Sequence, residues 1–210
     1  MMQILNKRIE IALNAKNFLI DTVESLDDLL AEVQEEDEIP FWAELWPAAR
    51  ALARFMASNQ TLVQLKVLEL GAGLGLPGIV AAAQGAHVVQ TDYSPAAVAA
   101  CAHNAGINGV TTSPVMADWR SFPDLGVFDW CIASDVLYEP TFHANLLEIF
   151  DQVLAPQGRI VISDPGREYA KKFMAQLAER GFCIEKIEEV EICEGRGYKI
   201  DLYIATPMGR

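Results

Sequence analysis

The chain has 210 residues, enough for one α/β domain with a full core and too few for two comfortable ones. It is 51% hydrophobic with a mean hydropathy of +0.17, which excludes a disordered chain and asks for a sheet covered on both faces. A formal charge of −13 repels phosphate backbones, so composition disfavours a nucleic-acid substrate and favours a basic partner.

The opening MMQILNKRIE carries an acid and lacks the apolar core of a signal peptide. No apolar run reaches the roughly 18 residues of a membrane span, so a reducing cytoplasm is the expected location. Cys101, Cys131, Cys183 and Cys193 are scattered without a C-x-x-C pair, and His87, His103 and His143 show no ligand spacing. Neither a disulfide framework nor a metal site is expected.

From Ile9 to Ile20 apolar residues alternate, pause at Asn14-Ala15-Lys16-Asn17 and resume, which predicts a small hairpin. Between Asp21 and Glu38 there are nine acids and no Lys or Arg, with Val23, Leu26, Leu29, Leu30 and Val33 at helical spacing. That predicts an acidic amphipathic helix, either a solvated face or a rim for a basic substrate. Residues 1–38 then form an accessory element ahead of a domain over 39–210. Next, IPFWAELWPAARALARFM puts aromatics in front of a helix that Pro47 opens, leaving Trp46 at its mouth. Trp42 and Trp46 are four apart. One of them belongs to an ordinary core, and an indole at a pocket edge suits a lid over a cation.

The stretch VLELGAGLGLPGIVAAAQGAHVVQTD, from Val67 to Asp92, reads as strand, glycine loop, helix, strand and acid. Glycines let a ligand approach the backbone N–H groups, and an acid about 20 residues later takes ribose hydroxyls. A dinucleotide fold wants a third glycine where Leu76 stands. Glu69, two residues before Gly71, suits a cationic ligand better than a pyrophosphate. The alternative is a tight turn in some other α/β protein.

Downstream, Ser94 to Asn104 is helical behind a Ser-Pro cap, and Val115 to Asp118 is a strand. Phe128 to Ser134 is a strand delivering Asp135 and Tyr138, and Phe142 to Leu154 is a helix. Pro156-Gln157-Gly158 is a turn, Arg159 to Ser163 a buried strand, and Glu168 to Arg180 a helix closed by Gly181. Two β-rich runs, Phe182 to Ile192 and Tyr198 to Ala205, close a hairpin around Glu194-Gly195-Arg196-Gly197. Five strands alternate with helices and two follow, a doubly wound α/β pattern.

The pattern E-x-G-x-G at Glu69 to Gly73 resembles motif I of the class I S-adenosylmethionine-dependent methyltransferases. The Trp-Pro segment at Trp46-Pro47, Asp118-Trp119, and D-x-x-Y at Asp135 to Tyr138 resemble methyltransferase family 16, closest to the electron-transfer flavoprotein β-subunit lysine methyltransferase type. No glycine occurs between Asp21 and Met56, where many members place one before the Trp, so the match is partial.

The resemblance implies a Rossmann-like seven-stranded mixed sheet in the order 3-2-1-4-5-7-6 with helices on both faces. It implies S-adenosylmethionine as cofactor and S-adenosylhomocysteine as product, held by Trp46, Glu69, Gly71, Ala72, Gly73, Asp92, Tyr93, Asp118, Trp119 and Ser134. Asp118 would take the adenine amino group with Trp119 beside the ring. Asp135 and Tyr138 would be catalytic, in the place where enzymes that methylate nucleic-acid amines carry N-P-P-Y, and the acceptor would be a lysine of a protein. A strand-end turn is the plain alternative for Asp118 and for Asp135. A small-molecule N-methyltransferase or a non-catalytic binder of the cofactor stays open.

Overall fold

In the computed structural model, residues 5–25, 29, 39–59 and 62–209 are described. The hairpin is present as β1 (Lys7–Leu13) and β2 (Lys16–Thr22), turning at Asn14, which adopts a left-handed φ of 53°. Asn tolerates that conformation because its short polar side chain bonds locally. The acidic helix expected up to Glu38 lies, past Ser25 and apart from Leu29, outside the described residues.

The chain then alternates: α1 (Pro47–Ser58), β3 (Lys66–Leu70), α2 (Leu76–Ala83), β4 (His87–Asp92), α3 (Pro95–Ile107), β5 (Ser113–Met116) and β6 (Phe128–Ser134). After these come α4 (His143–Val153), β7 (Leu154–Asp164), α5 (Glu168–Glu179), β8 (Phe182–Cys193) and β9 (Arg196–Pro207). Pro47 opens α1 with Trp46 as its N-cap, and Ser94 caps α3 by accepting from the Ala97 N–H. The spatial order is β5-β4-β3-β6-β7-β9-β8, which is 3-2-1-4-5-7-6 when counted from β3.

β3 to β7 run parallel, so their carboxyl ends share one edge, and β9 returns antiparallel between β7 and β8. One face of the sheet packs on α1, α2 and the hairpin, with Ile20, Leu52, Met56, Leu76, Val67 and Ile132 buried together. The other packs on α4 and α5 through Leu68, Leu70, Leu147, Phe150 and Phe173. Each such side chain removed from water contributes about 1.5–3 kcal/mol.

Two expectations change in detail. Pro156-Gln157-Gly158 does not separate two elements but lies within β7, as an irregularity where pairing jumps from Phe128–Leu154 to Trp130–Arg159. The flanking residues keep the ladder, so the extra chain is absorbed as a bulge. The closing turn is Glu194-Gly195 alone, both at positive φ, and Arg196 and Gly197 already belong to β9.

Candidate functional site

The carboxyl edge gathers residues that the sequence spreads from Gly71 to Tyr138. The glycine loop follows β3, Asp92 and Tyr93 end β4, Asp118 and Trp119 follow β5, and Ser134 to Tyr138 follow β6. Ligands of open α/β sheets bind at this edge, where the chain switches direction between β3 and β4 on one side and β6 on the other.

The loop is held from behind. Gly71, Gly73 and Gly75 adopt φ of 63°, 54° and 84°, a region that L side chains rarely enter. Three successive carbonyls accept side-chain donors: Gly73 from the Cys101 thiol at 3.2 Å, Leu74 from Asn104 Nδ2 at 3.0 Å, and Gly75 from Gln90 Nε2 at 2.9 Å. The Ala72 N–H donates to the Thr91 carbonyl at 3.0 Å. On the ligand side, Asp92 accepts from the Gly73 N–H and the Ser94 N–H, each at 3.0 Å. Burial outweighs those bonds and raises its pKa. Leu76, at the place of a dinucleotide fold's third glycine, is buried in the core.

Glu69 corrects an expectation. It shares Val67's face of β3, so it points under α2 rather than toward the edge, and it is 1% exposed. Its Oε2 accepts from Gln90 Nε2 at 2.7 Å and from the Gly78 N–H at 3.1 Å. Burial pushes its pKa to about 8, so at neutral pH it is an uncharged acid supporting the loop, not a negative charge facing a cation. A Cβ on Gly78 would lie 2.4 Å from that oxygen, which explains a glycine inside α2.

Trp119 reaches Gly71, where a Cβ would meet its ring at 3.4 Å, and packs edge-on against Phe142 at 5.8 Å. Asp118 points away from a purely ligand-facing role in part: Arg120 Nη2 holds it at 2.6 Å, and this pairing lowers its pKa. Trp42 and Trp46 are both partly buried. Trp42 packs against the core with its carbonyl against Gly73, while Trp46 Nε1 donates to the Phe41 carbonyl at 2.9 Å.

The Phe41 ring lies between Trp46, at 6.4 Å, and Tyr138, at 5.7 Å, making an aromatic rim on which Phe41 and Tyr138 are exposed. Phe41 was not singled out in the sequence, although it stands in the same aromatic run. Burial first, and then the charges of Tyr93, Asp92, Asp135 and Glu139, push the pKa of the Tyr138 hydroxyl up.

Asp135 turns sharply, with φ of 58°, its N–H bonded to the Ser163 carbonyl at 2.9 Å. Its side chain is 11% exposed and Oδ1 accepts from Arg167 Nη1. Burial raises its pKa and Arg167 opposes that rise. Arg167 is the second residue missed; its signal was a cation three residues past the end of β7, in Asp164-Pro165-Gly166-Arg167. A groove of about 520 Å³ along α4 and α5, lined by His143, Tyr169 and Lys172, lies on the outside of those helices rather than at the glycine loop. Among the described residues no cluster of His, Cys, Asp and Glu fits a metal, and no helix is long and apolar enough to cross a membrane.

A sheet of this order, with a glycine loop and strand-end acids along one edge, is the fold of the class I methyltransferases. The ribosomal protein L11 methylase from Lactobacillus delbrueckii subsp. bulgaricus has it, with a TM-score of 0.63 at 21% identity over 95% of this chain and 99% of that one. The chain belongs to the lysine methyltransferase family, whose profile matches residues 25–180. It is 33% identical over 131 residues to the mouse (Mus musculus) electron transfer flavoprotein beta subunit lysine methyltransferase, covering 61% of this chain and 51% of that protein. It is 34% identical over 172 residues to the protein N-terminal and lysine N-methyltransferase efm7 of Schizosaccharomyces pombe, covering 70% and 68%. The chain thus spans about half the length of the flavoprotein-directed relative and about two thirds of the yeast one.

Proposed function

We propose that this chain is an S-adenosylmethionine-dependent methyltransferase acting on a lysine side chain of a protein, in the cytoplasm. The observation that carries the reading is the loop: its carbonyls are tied back by Cys101, Asn104 and Gln90, and Gly71 sits so close to Val136 and the Trp119 ring that no side chain would fit there. That cradle fits a nucleoside. Asp92 would hold its ribose, Asp118 and Trp119 its base, Tyr93 and Ser134 its flanks, and Gly71, Ala72 and Gly73 its amino-acid end. Trp46 would close over it, and Glu69 supports the loop from within. When bound, the cofactor supplies an electrophilic methyl on a sulfonium and departs as S-adenosylhomocysteine.

The protein's own work is on the acceptor. A lysine ammonium must lose a proton first, which at pH 7 costs about 4.6 kcal/mol. Asp135 receives the ammonium at the edge, and the Phe41–Tyr138 rim excludes water from its stem and aligns it. The excess of acids, 29 against 16 Lys and Arg, favours a basic substrate surface over nucleic acid. The β1–β2 hairpin forms an accessory element ahead of residue 39, and four unpaired cysteines suit a reducing compartment.

The test is methyl transfer from labelled cofactor into lysate proteins and, separately, into small metabolites. Mass spectrometry of lysine methylation in cells with and without the chain follows. Label in protein lysines supports the reading. Label confined to metabolites makes it a small-molecule enzyme, and binding without transfer makes it a sensor.

A further inference from the structure

The acceptor half of the edge holds two neighbouring carboxyls: Asp135, which follows β6, and Asp164, fully buried at the end of the adjacent β7. A carboxylate that attracts an ammonium also stabilises it against losing its proton. Each unit by which the amine's pKa rises costs about tenfold in the neutral, reactive form. A bare Asp135 would hold the substrate in its unreactive state.

Arg167 stands against this. Its Nη1 donates to Asp135 Oδ1 and, at 3.0 Å, to Asp164 Oδ2. Asp164 is itself fixed, its Oδ1 accepting from the Gly166 and Arg167 N–H groups at 2.8 and 2.7 Å. The fully buried Asp164 therefore aims the guanidinium at Asp135. The guanidinium stays charged at every working pH. On the far side of Gly166, Asp201 has its own partners, Lys186 at 3.3 Å and the Tyr203 hydroxyl at 3.1 Å, so it does not draw on Arg167. Glu168, next in the chain, is paired with Lys171.

We propose that Arg167 is a positioning residue that sets the charge of the acceptor site: by holding Asp135 as half of an ion pair, it lets an ammonium dock without locking it in the protonated form. In the step served, the ammonium's proton goes to water. The freed lone pair forms the N–C bond, and the electron pair of the broken C–S bond stays on sulfur. The inference rests on reading Asp135 as the acceptor-side carboxylate of a lysine methyltransferase.

The experiment uses Arg167→Gln and Arg167→Lys in the full chain, with the acceptor protein found in the lysate screen and rates measured from pH 6.5 to 9.5. Arg167→Gln is expected to lower KM several-fold at pH 7 while lowering kcat about tenfold. Its rise of kcat with pH should move up by about one unit, and Arg167→Lys should keep the wild-type midpoint. Unfolding against pH needs no acceptor. Without its cation Asp135 has a higher folded pKa, so Arg167→Gln should lose stability relative to wild type as pH rises from about 4 through that pKa. Adding Asp135→Asn should remove at least part of that pH-dependent loss.

A raised KM with an unchanged midpoint, or stability curves parallel to wild type, would overturn the proposal. If the wild-type chain neither binds S-adenosylhomocysteine nor transfers methyl, the underlying reading fails instead, while the stability curves still report on Arg167.

Discussion

The two halves of the carboxyl edge are built differently. On the β3–β4 side the glycine loop is fixed without an ion pair: thiol and amide donors hold its carbonyls, the Asp92 carboxyl holds the Gly73 N–H, and the buried Glu69 lies beneath. On the β6–β7 side the fixing is ionic, Asp135–Arg167–Asp164, beside an exposed aromatic rim. A loop tied back in this way keeps its shape without an ion pair, its Ala72 and Gly73 N–H groups bonded to the Thr91 carbonyl and the Asp92 carboxyl. The charged half is what an ammonium meets, and there the sign and pairing of each carboxylate decide between docking and release.

This contrast predicts where damage is felt. Asp135→Asn should cost the most, about 10²-fold or more in kcat with cofactor affinity unchanged, as steady-state rates and calorimetry would show. Retention of full turnover would return Asp135 to the role of a turn former. Asn104→Ala acts on the other half, because Asn104 binds both the Leu74 carbonyl and the Asp21 backbone. It should lower unfolding free energy by about 2–3 kcal/mol and weaken cofactor binding several-fold, since hairpin and loop lose one shared tie. A variant that lost stability but not affinity would show the tie does not reach the cradle.

Phe41→Ala should be milder. It removes the ring between Trp46 and Tyr138 and is expected to raise KM for the acceptor about fivefold, or ~1 kcal/mol, with the cofactor unaffected. Glu69→Gln should do least to activity. Its folded pKa of about 8 lies above the ordinary carboxylate value, so its stabilising contribution is full below about pH 4.5 and is lost as pH rises through 8. Gln accepts the same bonds from Gly78 and Gln90 without titrating. Denaturation from pH 5 to 9 should therefore find Glu69→Gln at least as stable as wild type at pH 7, with a flatter pH slope.

Legibility followed the same division. Strand order came through the family resemblance, while the loop and the strand-end positions of Asp92, Trp119 and Asp135 could be read because local spacing encodes strand, turn and helix, and parallel strands put their ends on one edge. The orientation of Glu69 was also in the sequence, through alternation with Val67, but its charge suggested a ligand and hid the buried face. Arg167 was not legible as a partner of Asp135. The two are 32 residues apart, and only the pairing of β6 with β7 brings them together. Cys101 and Asn104 look like any small residues of a helix until the loop's carbonyls are seen against them.

The central claim is a cofactor cradle at the β3–β4 edge. Calorimetry with S-adenosylhomocysteine should show one site per chain, weakened tenfold or more by Asp92→Ala and left unchanged by Asp135→Asn. No heat from the wild-type chain, or equal weakening by both substitutions, would contradict it.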